Sequence, residues 1–343
     1  MQEVKRWKPR SAYYVKTLEY LKGRMNGSIR SMKTPWERFN DAGTDGIEWG
    51  TTLIIGGRPG AYKTTFKDKI VNSARALNPI EEFRVLDFSF EMLMIVTLIR
   101  ELCAETGKTY KELCSAGNPL AIDILNRCYN YLNQKAKDKE NNIDVVEDAC
   151  TINEFIEIVE EYMEFHKKEV PGKDEKGNDI MITVYPKVMI GIDHTRLFKR
   201  SPFEGSEEEM ISNLGKAVTY LKRKYYCIFI VLSQLNRDID RPERNEDAKI
   251  GNYPTSSDLF GSDAMYQHGD IVAIINRPSL KNIRFYGPNR YIVQEDPFLL
   301  ALHFLKARNG DSRLSFFRAD EKMNIHEVEH PPMAQKKGED RNN

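Results

Sequence analysis

A doubly wound, mainly parallel α/β fold is what this 343-residue sequence predicts, and three observations predict it. Short segments such as "TTLII", "VMIGI" and "CIFIVL" are almost unbroken apolar runs, as expected of strands buried on both faces of a sheet. Amphipathic stretches at helical spacing lie between them. The runs also end in polar residues, which gathers those residues at the sheet edge where such folds bind ligands.

Taken in order, residues 1–10 read as a flexible basic arm, and "SAYYVKTLEYLKGRMNG" (11–27) carries Tyr14, Leu18 and Leu21 at helical spacing. So short a helix needs another surface to pack on. Residues 28–50 read as irregular. "TTLIIGG" (51–57) is a strand, 64–76 the helix behind it, "FRVLDFSF" (83–90) a second strand and 92–102 a helix. Residues 105–140 are polar and helical without a clean period. Thr151 and Glu154 form a capping box for a helix with Phe155, Ile158, Val159 and Tyr162 on one face. Residues 171–180 read as a solvated turn within a small hairpin. The third strand is "KVMIGID" (187–193), followed by a helix over 207–224 and a fourth strand, "CIFIVLSQ" (227–234). Beyond a polar loop (236–257) come strands at 270–276 and 299–306 and a hairpin through Gly310 to 313–318. The tail 330–343 lacks the apolar content to fold.

Composition excludes several classes. Lys+Arg and Asp+Glu both total 51, so any nucleic-acid binding must come from local patches. The five cysteines (103, 114, 128, 150 and 227) form no C-x-x-C pair, which fits reduced thiols rather than a disulfide framework or zinc. No apolar run approaches membrane-spanning length and the basic N-terminus has no signal-type apolar core, so the expectation is a cytoplasmic protein without membrane contact.

The chemistry concentrates in "IIGGRPGAYKTTF" (54–66). Gly57 and Lys63-Thr64 have the spacing of a phosphate-binding loop, in which backbone N–H groups and a helix N-terminus wrap phosphate and Lys neutralises its charge. Candidate nucleotide contacts are therefore Gly57, Arg58, Pro59, Gly60, Ala61, Tyr62, Lys63, Thr64 and Thr65. Tyr62 departs from the pattern, standing where its second glycine belongs. Asp193 ends an apolar strand, where an acid and the Thr64 hydroxyl would hold Mg2+. Glu91 follows the second strand and is placed to polarise an attacking water; Gln234 ends the fourth and is placed to sense a γ-phosphate. Taken singly, each has a plainer explanation as a turn, helix-dipole or strand-end residue. Together they point to one crevice.

The segments "GGRPGAYKTTF", "LDFSFEM", "VMIGIDHTRLF", "VLSQLNR", "SDLFGSDAMYQHGDIV" and "LKARNGD" resemble, in sequence and order, the RecA-like motor domain of DnaB-type replicative helicases over about residues 29–320. The resemblance implies an ATP- and Mg2+-dependent helicase ring, usually of six subunits, on single-stranded DNA. It implies Lys63 and Thr64 on phosphate and magnesium, Asp193 as the Walker-B acid, Glu91 as catalytic base and Gln234 as sensor. It further implies Lys306 and Arg308 as cations offered to the neighbouring subunit's ATP, with Arg308 the arginine finger. DNA contacts fall to Arg196, Lys199 and Arg200 after the third strand, and to Phe260, Gly261 and Ser262; Phe198 in the first loop could stack on a base, though a lone aromatic is more often packing. The family usually has an Arg-Glu pair where Phe260-Gly261 stand, which shifts the second loop toward backbone contacts.

The expected division is an arm and linker helix (1–28) that docks on an adjacent subunit, a RecA-like ATPase domain (29–327) and a disordered tail (328–343). Only residues 1–50 precede the loop strand, suggesting a phage or mobile-element variant without the family's N-terminal domain, with primase, polymerase or a loader as partner. Because of Tyr62, a second reading is a weak or inactive ring that serves as a DNA-binding scaffold or loader. A strand-exchange ATPase shares the fold, but "SQLNR" and "KARNG" disfavour it.

Overall fold

The computed structural model describes residues 7–117, 119–137, 143–173 and 177–335. The central sheet has strands β1 (Thr52–Gly57), β2 (Arg84–Phe88), β3 (Ile143–Val146), β4 (Val188–Ile192), β5 (Ile228–Gln234), β6 (Ile271–Asn276), β7 (Leu299–Ala307), β8 (Leu314–Ala319) and β9 (Ile325–Val328). Their spatial order is β9-β8-β7-β6-β1-β5-β4-β2-β3. The strands from β6 to β3 are mutually parallel and β7 to β9 antiparallel. The doubly wound, mainly parallel prediction holds.

The helices are α1 (Tyr14–Met25), α2 (Glu37–Ala42), α3 (Lys63–Leu77), α4 (Met94–Thr106), α5 (Tyr110–Cys114), α6 (Ile122–Lys137), α7 (Ile152–His166), α8 (Glu207–Tyr225) and α9 (Ser262–His268). Each face of the sheet has its own core. Leu53 and Ile55 of β1 pack with Phe66 and Ile70 of α3. Ile54, pointing the other way, joins Phe155 of α7 with Leu214 and Val218 of α8. This period-two alternation between two covered faces is why the strands read as continuous apolar runs.

Residues 28–50 are more ordered than their sequence suggests. Met32 and Ile47 form a bridge, and Trp36 stacks on Phe66 with ring centroids 3.9 Å apart. Trp36 Nε1 also donates to the Ile325 carbonyl at 3.1 Å, which ties this segment to β9. Two strands of the central sheet escaped the sequence reading, as did the short pair Phe285–Tyr286 and Tyr291–Ile292. β3 is a four-residue edge strand with no buried residue, so it lacks an apolar run. β9 buries only its first residue, Ile325, within a polar stretch. The tail expectation needs correcting for its first part: Val328 ends β9, and the Pro332 carbonyl accepts from Ile292 N at 2.8 Å. Pairing to a neighbouring strand replaces the apolar content the segment lacks. Residues 336–343, like the start of the arm (1–6), fall outside the described residues. The predicted hairpin forms from Lys168–Lys173 and Asp179–Val184.

Beneath α3 lies a buried ion pair. Lys67, 1% exposed, donates from Nζ to both oxygens of Asp87 at 2.7 and 2.6 Å. The pair fits because Gly191, opposite Asp87 in β4, has no side chain; a Cβ there would lie 2.1 Å from Asp87 Oδ1. Removing one partner leaves the other charge buried and alone, which costs about 3–5 kcal/mol. Lys67→Ala is therefore expected to lower the denaturation midpoint sharply. The double replacement of Lys67 and Asp87 by Met and Leu should recover most of that loss. A midpoint unmoved by Lys67→Ala would show the pair to be idle.

Candidate nucleotide site

β1 ends at Gly57, residues 58–62 turn, and α3 begins at Lys63. A Cβ at Gly57 would lie 2.9 Å from both the Ile275 carbonyl and Lys63 Cγ, so the strand must end in glycine. The first turn of α3 has neither an acidic residue nor a side-chain cap. Its N–H groups and dipole thus face the loop without an internal anion. Tyr62, which caps this helix, has φ +64° and ψ +24°. That left-handed conformation explains why glycine suits the position, and a tyrosine there costs about 1 kcal/mol or more. Its ring is half-buried and lies against the α3-side core, forming a wall of the cavity rather than filling it.

That cavity has a volume of 390 Å³. Lys63, Thr64, Glu91, His194, Gln234 and Arg277 are among its lining residues. The Lys63 ammonium folds back to donate to the Arg58 carbonyl at 3.1 Å. Burial lowers its pKa, while the charges of Glu91 and Asp193 act to raise it. Arg58 pairs with Asp240 in the long loop after β5. Gln234 lies directly beside Gly57 in the β1–β5 register. Arg196 Nη1 donates to its side-chain oxygen at 3.5 Å, the outer limit for such a bond.

Asp193 sits just past β4 and is 1% exposed. Thr64 Oγ1 donates to its Oδ1 at 3.2 Å, while its Oδ2 is buried without a hydrogen-bond partner. Burial pushes the carboxyl pKa up, and the Lys67 charge opposes this. An orphaned carboxylate oxygen beside a hydroxyl is a hard-oxygen donor set, and it fits Mg2+ held through few protein ligands. His194 is buried, and burial lowers its pKa, favouring the neutral ring. Its Nδ1 accepts from Arg196 N at 3.2 Å, so the ring proton sits on Nε2.

Lys306 and Arg308 are elsewhere. In the antiparallel β6–β7 register, Ala307 lies opposite Ile271, level with Leu53, whereas Gly57 is level with Ile275. Four residues of strand, about 13 Å, separate these levels. Arg308 is 60% exposed and pairs with Asp270 at 3.2 Å; Lys306 donates to the Tyr266 carbonyl at 2.8 Å. The predicted site residues thus divide between two edges of the sheet.

The predicted DNA residues are a mixed set. Lys199 and Arg200 are exposed. Arg196 is bound within the chain to Glu207 and lies 4.3 Å from the Phe260 ring centroid. Phe198 is no stacking residue: it is 4% exposed and packs edge-on against Phe90 and Phe155. Gly261, with φ +64°, caps α9; the side chain of Ser262 lies outside the described residues.

A model of the DnaB-like helicase C-terminal domain matches residues 32–316. The chain belongs to the DnaB-like helicase C-terminal domain family. Among solved structures, a DnaB-like replicative helicase described with its interactions with primase superposes with a TM-score of 0.70 at 17% identity, over 94% of this chain and 68% of that one. A second solved structure, described as an ATPase domain, gives 0.70 at 17% identity, over 92% of this chain and 98% of that one. At that identity these two matches speak to the fold, which is RecA-like. A search of curated proteins returns no match.

Five lining residues of this DnaB-like domain escaped the sequence reading: Met92, Arg100, His194, Arg277 and Met323. Arg277 directly follows β6, and His194 directly follows Asp193, so a strand-end search extended by one residue finds both. Asp193→Ala is expected to abolish the gain in melting temperature that Mg2+ adds to ADP, while ADP alone still stabilises. An undiminished Mg2+ effect in that variant would remove Asp193 from the metal site.

Proposed function

We propose that this protein is an ATP-driven, ring-forming replicative DNA helicase that translocates on single-stranded DNA. The observation that carries the reading is the division of the site: the phosphate-loop groups stand at one sheet edge, and the half-buried Lys306 and the exposed Arg308 stand at another level, out of reach of them. A second copy that brings its Arg308 to this cavity completes the constellation, as a closed ring does for every subunit. The other edge of the chain agrees. α1 carries Tyr14, Val15, Leu18 and Leu21 exposed at 51% or more, an apolar face suited to an adjoining subunit. Residues 1–28 then serve as the linker and 29–327 as the motor, which β9 carries on to Val328.

In this reading the residues of Gly57 to Thr65 wrap the triphosphate of ATP, with Lys63 on its outer phosphates. Thr64 and Asp193 hold Mg2+, which when bound neutralises charge developing on the phosphate oxygens. The Glu91 carboxylate orients the attacking water and takes its proton. Gln234 contacts the γ-phosphate, and a partner's arginine stabilises the transition state, an effect of about 10³–10⁵ in turnover for such fingers. Lys199 and Arg200 face the DNA phosphates, and the loop at Phe260-Gly261 is the second contact, although the Phe260 N–H is already spent on the Gln234 carbonyl at 2.9 Å. Arg196 and Ser262 complete the DNA-facing set, Arg196 through the link it makes between Gln234 and Phe260. Primase, polymerase or a loader is the expected protein partner, in the cytoplasm; among the described residues no helix is long and apolar enough to cross a membrane.

Hydrolysis of ATP should rise at least several-fold with single-stranded DNA; a wild-type protein that neither binds nor hydrolyses ATP would overturn the enzyme reading. The strained Tyr62 favours the second reading, a weak or inactive ring acting as scaffold or loader, and DNA binding without DNA-stimulated turnover is its signature. Mixing tests the shared site. Arg308→Ala subunits should depress wild-type activity more than in proportion to their fraction, whereas a strictly proportional loss means that each chain works alone.

A further inference from the structure

Tyr62 raises a question that the nucleotide reading does not answer: what holds a left-handed non-glycine residue at the most constrained point of a phosphate loop? The neighbouring contacts converge on Arg277. Its guanidinium carbon lies 5.3 Å from the Tyr62 ring centroid and 5.4 Å from that of Phe298. Its Nη1 donates to the Gly60 carbonyl at 3.3 Å, and its Nε donates to the Pro297 carbonyl at 2.8 Å. Gly60 itself has φ +77°, so the two left-handed residues of the loop are both held by one side chain. The anchor is firm, because Arg277 extends from the end of β6, which is hydrogen-bonded to β1.

A planar cation between two aromatic faces gains from both, and its fixed fork of donors reaches two carbonyls without further ordering. Lysine offers the charge but neither the plane nor the fork. The substitution that departs from the family pattern and the side chain that supports it are therefore coupled: glycine at 62 would adopt this backbone without strain and would present no ring to stack on.

We propose that Arg277 is a positioning residue of the phosphate loop, a clamp on Tyr62 and Gly60 that lets the loop keep its phosphate-binding shape without the usual second glycine. The inference rests on the nucleotide reading above for its consequence in ATP binding, but the clamp itself is an ordering of residues 58–64 that exists without nucleotide.

A double-mutant cycle in the full-length protein tests it, with a fluorescent ATP analogue and Mg2+ as probe. Arg277→Ala should weaken nucleotide binding by about tenfold beside Tyr62, and by less than about twofold in a Tyr62→Gly background. Equal losses in both backgrounds would overturn the proposal, because Arg277 would then act on the nucleotide directly. Arg277→Lys serves if the alanine variant fails to fold: it should lose as much as alanine, and full rescue by lysine would show that charge alone matters. Hydrogen exchange of the amides of 58–64, without nucleotide, separates the two readings. Faster exchange in the Arg277 variants with no ATP binding by the wild type would sink the nucleotide reading and leave the clamp standing. Unchanged exchange would sink the clamp whatever the nucleotide does.

Discussion

The register between β6 and β7 governs how this molecule is organised. Because β7 returns antiparallel, it carries Lys306 and Arg308 back toward the start of β6, whereas the phosphate loop leaves the other end of its parallel neighbour β1. A slip of one residue would turn every side chain of β7 to the opposite face, and Leu300, Leu302 and Phe304 would leave the core they share with Phe317. The packing of that core thus fixes the distance between the cations and the loop. Asp270 strengthens the arrangement: its side chain accepts from Thr52 N at 2.9 Å and pairs with Lys222 and Arg308. One carboxylate therefore ties the start of β1 to the cation at the far edge.

Beneath the loop, charge is managed by burial rather than by solvent. Lys67 holds Asp87, and Asp68 and Asp193 lie near enough for their charges to interact with it. Burial pushes the Asp68 carboxyl up to about 7, against the pull of Lys67. In so little water each charge acts strongly on the next, and Asp193 Oδ2 is buried beside them without a hydrogen-bond partner. The glycine at 191 makes room for the pair, so a residue that reads as a small break in an apolar strand is a requirement of electrostatics.

Aromatic residues illustrate how tertiary context redistributes roles. Phe198 lies in a basic run, yet it joins Phe90 and Phe155 in the α7-side core and fixes the loop after β4 from below. Phe260 lies under Arg196, which also reaches Gln234 and Glu207. The loop after β4, the end of β5 and the entry to α9 are thus linked through one guanidinium. Such a link is a physical route by which a group at the nucleotide cavity and a candidate DNA loop can respond to each other.

Much of this was legible in the residues themselves. Apolar runs with covered faces predicted the parallel sheet, and the loop pattern with Glu91, Asp193 and Gln234 at successive strand ends predicted which side chains gather, because strand direction and period are local properties. β3 and β9 were not legible, since short, half-solvated strands owe their form to pairing with distant partners rather than to their own composition. Nor were the left-handed Tyr62, the Arg277 clamp or the in-chain pairing of Arg196, each of which depends on how separate segments pack rather than on its own local sequence. The sequence alone determined the chemistry available at each strand end. Only the tertiary structure decided which charges are already spent on neighbours and which stand out of reach of the loop after β1, because distance and solvent exposure are set by packing.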